Sequence, residues 1–268
     1  MSSPDSWEVI LRGDINGTVL VVDFSAGIHR ELDFVELEAR IGSRCRYLLA
    51  KLPVVGLGKR LSSAACVSTW SEDIRRAGQP VTAVFGSRVG CVYAAAIADR
   101  ISCWQRRPAV VLLDPQTADI ELLNKEFLRE IISLNSLFSS DEIERARKIG
   151  HETAESTAEG VAGVAAKMFE DYLEVITTPF ERVGLGDPRG SRLTEPFESY
   201  ISLISAADQI NQGHFWGQST FILSSDCPDI LDEDFSDDGR RIRFDVRHVD
   251  LFRSDLITAT ISDLLQPR

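Results

Sequence analysis

Apolar residues along this chain fall in short, dense runs separated by longer stretches of helical spacing. The first run, Gly17 to Phe24 (GTVLVVDF), is continuous and rich in β-branched residues, which suits a strand buried on both faces of a parallel sheet. A loop at Ser25-Ala26-Gly27 ends it, and Phe34 to Ile41 has helical spacing. Arg46 to Leu52 reads as a second strand, closed by Pro53 and the glycines at 56 and 58. Ser63 to Ala77 reads as an amphipathic helix, with Ser62 or Ser63 as its N-cap and Gly78 as its stop. Pro80 to Phe85 is a third strand, Gly86 to Gly90 a tight turn, and Cys91 to Ile101 an Ala-rich helix. Ala109 to Leu113 is a fourth strand, ended by Asp114-Pro115.

After this point the periodicity changes. From Thr117 to about Val183 the spacing is helical throughout, followed by a Gly/Pro loop at Gly184 to Ser191 and a helix over Glu195 to Ile210. Phe221 to Ser224 is a short strand, Asp226 to Gly239 an acidic loop, Ile242 to Val246 a last strand, and Ser254 to Leu265 a terminal helix. Strands alternating with helices predict a mostly parallel sheet covered on both faces. The expected organisation is one domain over residues 1–268, with a helical insertion at 117–210 placed like a lid. No internal repeat is visible.

Composition narrows the possibilities. At 268 residues, with 44% apolar and 26% charged residues, the chain can bury a sizeable core as a globular domain. No stretch is long and apolar enough to span a bilayer, and Met1 to Trp7 lacks a signal-peptide pattern, so a cytoplasmic location is expected. The net charge of −12 disfavours nucleic acids and anionic membranes as partners. Five widely spaced cysteines without a C-x-x-C pair argue against a disulfide framework and a zinc site. No cofactor is expected. Cys45 and Cys91 read as small core residues.

The chemistry concentrates at Gly86-Ser87-Arg88-Val89-Gly90. Small residues at both ends of this turn let a buried strand and a helix approach closely, and the middle residue is thrust out above the sheet. That is the geometry of a nucleophile elbow. The run VTAVFGSRVGCVYAAAIADRI, then VVLLDP, then FDVRHVDLF before a terminal helix, resembles the thioesterase branch of the α/β hydrolases, which serves polyketide and nonribosomal peptide carrier domains. The resemblance runs from about Gly17 to Leu265.

It implies an α/β-hydrolase fold and a set of roles. Asp114 stands where that branch keeps its catalytic acid, and His248 where it keeps its histidine. The amide of Val89 would be one oxyanion donor, with the other near Ser25 or Ala26. Arg88 holds the nucleophile position, and there the pattern fails. Guanidinium stays protonated at neutral pH and is no nucleophile. Its charge would also face the positive end of the following helix, so Asp114, Asp226 or a bound anion is expected to offset it. Three rescues stay open: Ser87 as nucleophile, Cys91 as nucleophile, or a water activated by His248 while Arg88 binds a substrate anion.

Asp226 follows a later strand and competes with Asp114 for the role of acid, although a plain loop carboxylate explains it as well. Arg100, Arg106 and Arg107 are either a docking patch for an acidic carrier protein or a solvated helix end. His29, His151 and His214 match no pattern, and Ser140 to Arg147 reads as a capped, solvated helix start. Three functions compete. One is turnover of a carrier-bound acyl or peptidyl thioester by hydrolysis or cyclisation. The second is a catalytically silent pseudo-hydrolase that binds acyl groups or carriers. The third is non-hydrolytic chemistry such as dehydration, with His248 as base.

Overall fold

A computed structural model describes residues 4–13, 17–24, 32–53, 61–189, 191–211, 216–227 and 239–265. Its strands are β1 (Trp7–Leu11), β2 (Thr18–Val22), β3 (Arg46–Ala50), β4 (Val81–Ser87), β5 (Ala109–Leu113), β6 (Thr220–Leu223) and β7 (Arg240–Arg243). They form one sheet in the order β1-β3-β2-β4-β5-β6-β7. β1 runs antiparallel to β3, and the other pairs are parallel. The chain leaves β2 outward to β3 and then returns on the other side as β4. A crevice therefore opens at the carboxyl ends of the central strands, where such sheets bind ligands.

Both faces of the sheet are buried, which is why its central strands read as continuous apolar runs. Val19, Val21 and Phe85 pack into one core with α1 (Phe34–Ile41) and α8 (Asp255–Leu265). Leu20, Val22 and Val84 pack into the other with α2 (Ser63–Ala77) and α3 (Gly90–Ile101). The caps follow the sequence. The Ser62 hydroxyl accepts from the amide of Ala65, and Gly78 takes the left-handed turn that ends α2.

Between β5 and β6 lie α4 (Ile120–Ser133), α5 (Ser140–Glu155), α6 (Gly160–Arg182) and α7 (Glu195–Ala207). They are not a separate body. Leu123, Phe127, Tyr172 and Phe197 share one core with Val84 and Tyr93, and the Tyr93 hydroxyl donates to the carbonyl of Leu203 at 2.7 Å. The helical stretch from Thr117 to Val183 holds three helices, and the capped start expected at Ser140 opens the second of them. A short 3-10 turn at Asn135–Leu137 and a capping box between Ser139 and Glu142 separate α4 from α5. Gly160, at φ 64°, starts α6 after a second break.

Two strands depart from expectation because they lie at edges. β1 has no counterpart in the sequence reading: Trp7 is fully buried and its indole donates to the carbonyl of Trp70 at 3.0 Å, but its neighbours are half exposed and show no apolar run. β7 covers Arg240–Arg243 rather than Ile242 to Val246, since an outer strand needs little apolar character and pairs through its backbone alone.

Candidate functional site

β4 continues to Ser87, Arg88 turns the chain, and α3 starts at Gly90. Arg88 has φ 51°, the left-handed region that costs an L-residue about 1–2 kcal/mol. Packing imposes that conformation. A Cβ at Gly86 would lie 2.5 Å from the Cα of Cys91, and one at Gly90 would lie 2.1 Å from the carbonyl oxygen of Val22. Both positions therefore require glycine, and helix and strand are pressed together with the middle residue pushed outward. The exit of β5 clasps the turn from the side. The Arg88 amide donates to the carbonyl of Leu113 at 3.0 Å, and the Gln116 amide donates to the carbonyl of Arg88 at 3.3 Å.

Asp114 follows β5 with φ 44° and is 5% exposed. One carboxylate oxygen lies 2.6 Å from Nδ1 of His248, and the other accepts the amide of Ser224 at 2.6 Å. His248 is 2% exposed. Burial pushes the Asp114 carboxyl up, but the hydrogen bonds from His248 and from the hydroxyl and amide of Ser224 outweigh it, and its pKa falls below the ordinary value. An ionised carboxylate at Nδ1 keeps the proton there and turns Nε2 into the basic nitrogen.

Asp226 does not share that role. Its carboxylate accepts the backbone amide of His248 at 2.8 Å, and its own amide donates to the hydroxyl of Ser224 at 3.1 Å. It fixes where His248 enters the site without bonding to Nδ1. Both carboxylates thus hold the same histidine, Asp114 by Nδ1 and Asp226 by the main chain. Arg243 braces the same loop through the carbonyls of Ser224 and Cys227.

The remaining candidates separate by position. Ser87 is 2% exposed and lies in β4 on the Phe85 face of the sheet, not at the projecting corner. The thiol of Cys91 is fully buried and directed at the carbonyl of Leu113, 3.7 Å away, and burial pushes its pKa far up, so it serves as a packing group. Val89 is fully buried at the entry to α3, where the first amides of a helix lack intrahelical acceptors. Ser25 and Ala26, like His29 and His214, lie outside the described residues. His151 is an exposed partner of Glu155.

Charges from distant parts of the chain act on one buried tyrosine. The phenol of Tyr200, on α7, is 1% exposed; burial drives its pKa up, Glu126 adds to that, Arg129 and Arg88 oppose it, and Asp23 adds again. Glu126 and Arg129 pair at 3.3 Å on α4. Asp114 and Asp226, expected to offset the guanidinium, are instead bonded to His248. Sequence reasoning missed Ser224, Asp23, Glu126 and Tyr200, since nothing local marks them. Arg100 and Arg107 are paired with Glu72 at 3.6 Å and Asp99 at 2.9 Å, beyond the far end of α3. Twelve residues of helix place that end about 18 Å from the elbow, which favours a solvated helix end over a docking patch.

Among the described residues no group of three or more His, Cys, Asp or Glu is arranged to hold a metal, and no helix is long and apolar enough to cross a membrane. Several solved structures share the order and direction of these elements. A carboxylesterase structure from the thaumarchaeon Nitrososphaera gargenis matches with TM-score 0.58 at 12% identity, covering 98% of both chains. MGS-M2, an α/β-hydrolase enzyme from a Medee basin deep-sea metagenome library, matches with TM-score 0.54 at 13% identity, over 98% of this chain and 94% of that one. The NocB thioesterase domain, in covalent complex with a fluorophosphonate nocardicin G analogue, matches with TM-score 0.52 at 14% identity, over 95% and 96%.

This chain has the α/β-hydrolase fold. No protein-family model matches it, and no curated protein does. At these identities the likeness speaks for the fold alone, and any chemistry within the α/β-hydrolase frame depends on Arg88, Asp114 and His248 themselves.

Proposed function

We infer that this chain is a thioesterase-like α/β-hydrolase protein that handles an acyl or peptidyl thioester tethered to a carrier protein, without the usual serine mechanism. One observation carries the reading: a buried carboxylate 2.6 Å from Nδ1 of a buried histidine, at the carboxyl ends of the strands beside a strained elbow. The NocB thioesterase domain shows that a fold like this one accommodates a thioesterase. The insertion over 117–210 would act as the lid over the acyl chain.

In this reading His248 is the general base and Asp114 sets its tautomer. Nε2 takes a proton from a water molecule, whose oxygen adds to the thioester carbonyl carbon. The carbonyl electrons move to oxygen, where the Val89 amide and a donor from Ser25–Ala26 stabilise the charge. When the carbonyl re-forms, the C–S bond breaks, and the departing thiolate takes the proton from His248. The products are an acid and a free thiol. A hydroxyl or amine of the acyl chain in place of water gives a cyclic product by the same steps. Arg88 cannot attack, and its guanidinium holds an anionic part of the substrate.

The second reading is a silent pseudo-hydrolase that binds acyl groups or carriers. It is favoured by Arg88 itself, which puts a cation at the turn of the elbow where a nucleophile would stand. Turnover of a short acyl-pantetheine thioester by the wild type, Arg88→Ser and His248→Ala separates the two. Active wild type with activity reduced about 10²- to 10⁴-fold in His248→Ala is the expected result. Inert wild type with activity gained in Arg88→Ser would instead establish machinery silenced at one position.

A further inference from the structure

A cavity of about 480 Å³ opens at the opposite end of the sheet, at the amino ends of β4, β5 and β6. Its volume falls within the range of small-molecule sites. Arg106 and Arg107 line it together with neutral residues that include Thr82, Gln218 and Thr220, and none of its lining residues among those described is acidic. That is notable in a chain with 41 Asp and Glu against 29 Lys and Arg. The cavity of about 490 Å³ between α5 and α6 shows the contrary case, lined by Glu152, Glu159, Asp171 and Glu174 against Lys167.

The walls are built in place. The side-chain amide of Gln105 donates to the carbonyl of Val81 at 2.8 Å and accepts its amide at 3.2 Å, which ties the segment before Arg106 to the start of β4. Asp99 holds one arm of the Arg107 guanidinium at 2.9 Å. The Nε of Arg107 is buried and makes no hydrogen bond among the described residues. A buried donor in that condition is costly, and an oxyanion is the group that satisfies an arginine fork best.

We propose that this cavity is a second ligand site, separate from the Asp114–His248 centre, which binds a small oxyanion-rich molecule through Arg106 and Arg107. The chemistry it recognises is shared by organic phosphates and polycarboxylates. Calorimetric titration of the full chain with pyrophosphate and, separately, citrate tests it in the wild type, Arg106→Glu, Arg107→Gln and Arg145→Glu. Arg106 is exposed, so its variant keeps the fold even if loss of the Arg107–Asp99 pair weakens it; Arg145 is an exposed cation on α5. The expected result is saturable binding of one probe, weakened at least about tenfold in Arg106→Glu and Arg107→Gln and unchanged in Arg145→Glu. Preference for pyrophosphate assigns the phosphate class, and preference for citrate the carboxylate class. Absence of saturable binding by both probes up to about 10 mM, or equal weakening in Arg145→Glu, overturns the proposal.

Discussion

The two ends of the sheet are built from the same strands but solve different problems. At the carboxyl ends, two non-glycine residues, Arg88 and Asp114, are held at positive φ, and a buried carboxylate and histidine are locked together. At the amino ends, helix α1 finishes on Gly42 in open space and the basic residues lie about a cavity. Strain of this kind persists only where surrounding contacts over-determine it. The elbow meets that condition because Gly86 and Gly90 leave no slack and the exit of β5 is bonded to Arg88 from both sides. Strain is not confined to the elbow, since Arg44 before β3 also has φ 60°; what sets the elbow apart is that its strained residue is flanked by two glycines that packing leaves no room to replace.

The largest effect that would break this contrast is at Gly90. Its replacement by alanine sets a Cβ 2.1 Å from the backbone of β2, and a loss of about 3 kcal/mol or more in unfolding free energy is expected. Gly42→Ala meets no neighbouring atom and carries only the left-handed penalty, so denaturant titration should show a loss of about 1 kcal/mol. Similar losses at the two positions would mean that the elbow is not specially constrained.

A subtler difference concerns acid. Asp114 has a folded-state pKa below its ordinary value of 3.8, so its contribution to stability is fully present above that pH and is lost as pH falls through the folded value. The stability difference between wild type and Asp114→Asn should therefore shrink as pH is lowered below 3.8. A difference that stays constant down to the acid transition would show that the carboxylate is not held ionised by His248 and Ser224. The smallest effect is expected of Arg106→Glu on thioester turnover, which should stay within about twofold of wild type because Arg106 lies at the opposite end of the sheet from His248; a larger change would couple the cavity to the Asp114–His248 centre.

Much of this architecture was legible in the residues. Buried parallel strands read as apolar runs because both of their faces are covered, and GTVLVVDF, PVTAVF and AVVLL all fall in the sheet. The edge strands did not read clearly: β1 and β7 are half exposed, and their pairing comes from backbone groups that any sequence supplies. Within the helical insertion the start at Ser140 was legible from its capping residues, whereas the break before Gly160 was missed because one glycine interrupts the apolar period only briefly.

By itself, then, the sequence determined the alternation of strands and helices, the elbow with its two obligatory glycines, and the order Arg88, Asp114, His248 along the chain. These follow from local spacing and from residue types that permit one backbone geometry. Only the tertiary structure decided which carboxylate faces Nδ1 of His248, because Asp114 and Asp226 both end strands and differ only in how their neighbours direct them. It alone brought Ser224 to Asp114, and it alone set the charges of Asp23, Arg88, Glu126 and Arg129 about the phenol of Tyr200. Such clusters depend on side chains up to 177 positions apart meeting through the packing of separate helices and strands, between Asp23 and Tyr200 in this case, and no local pattern encodes that meeting.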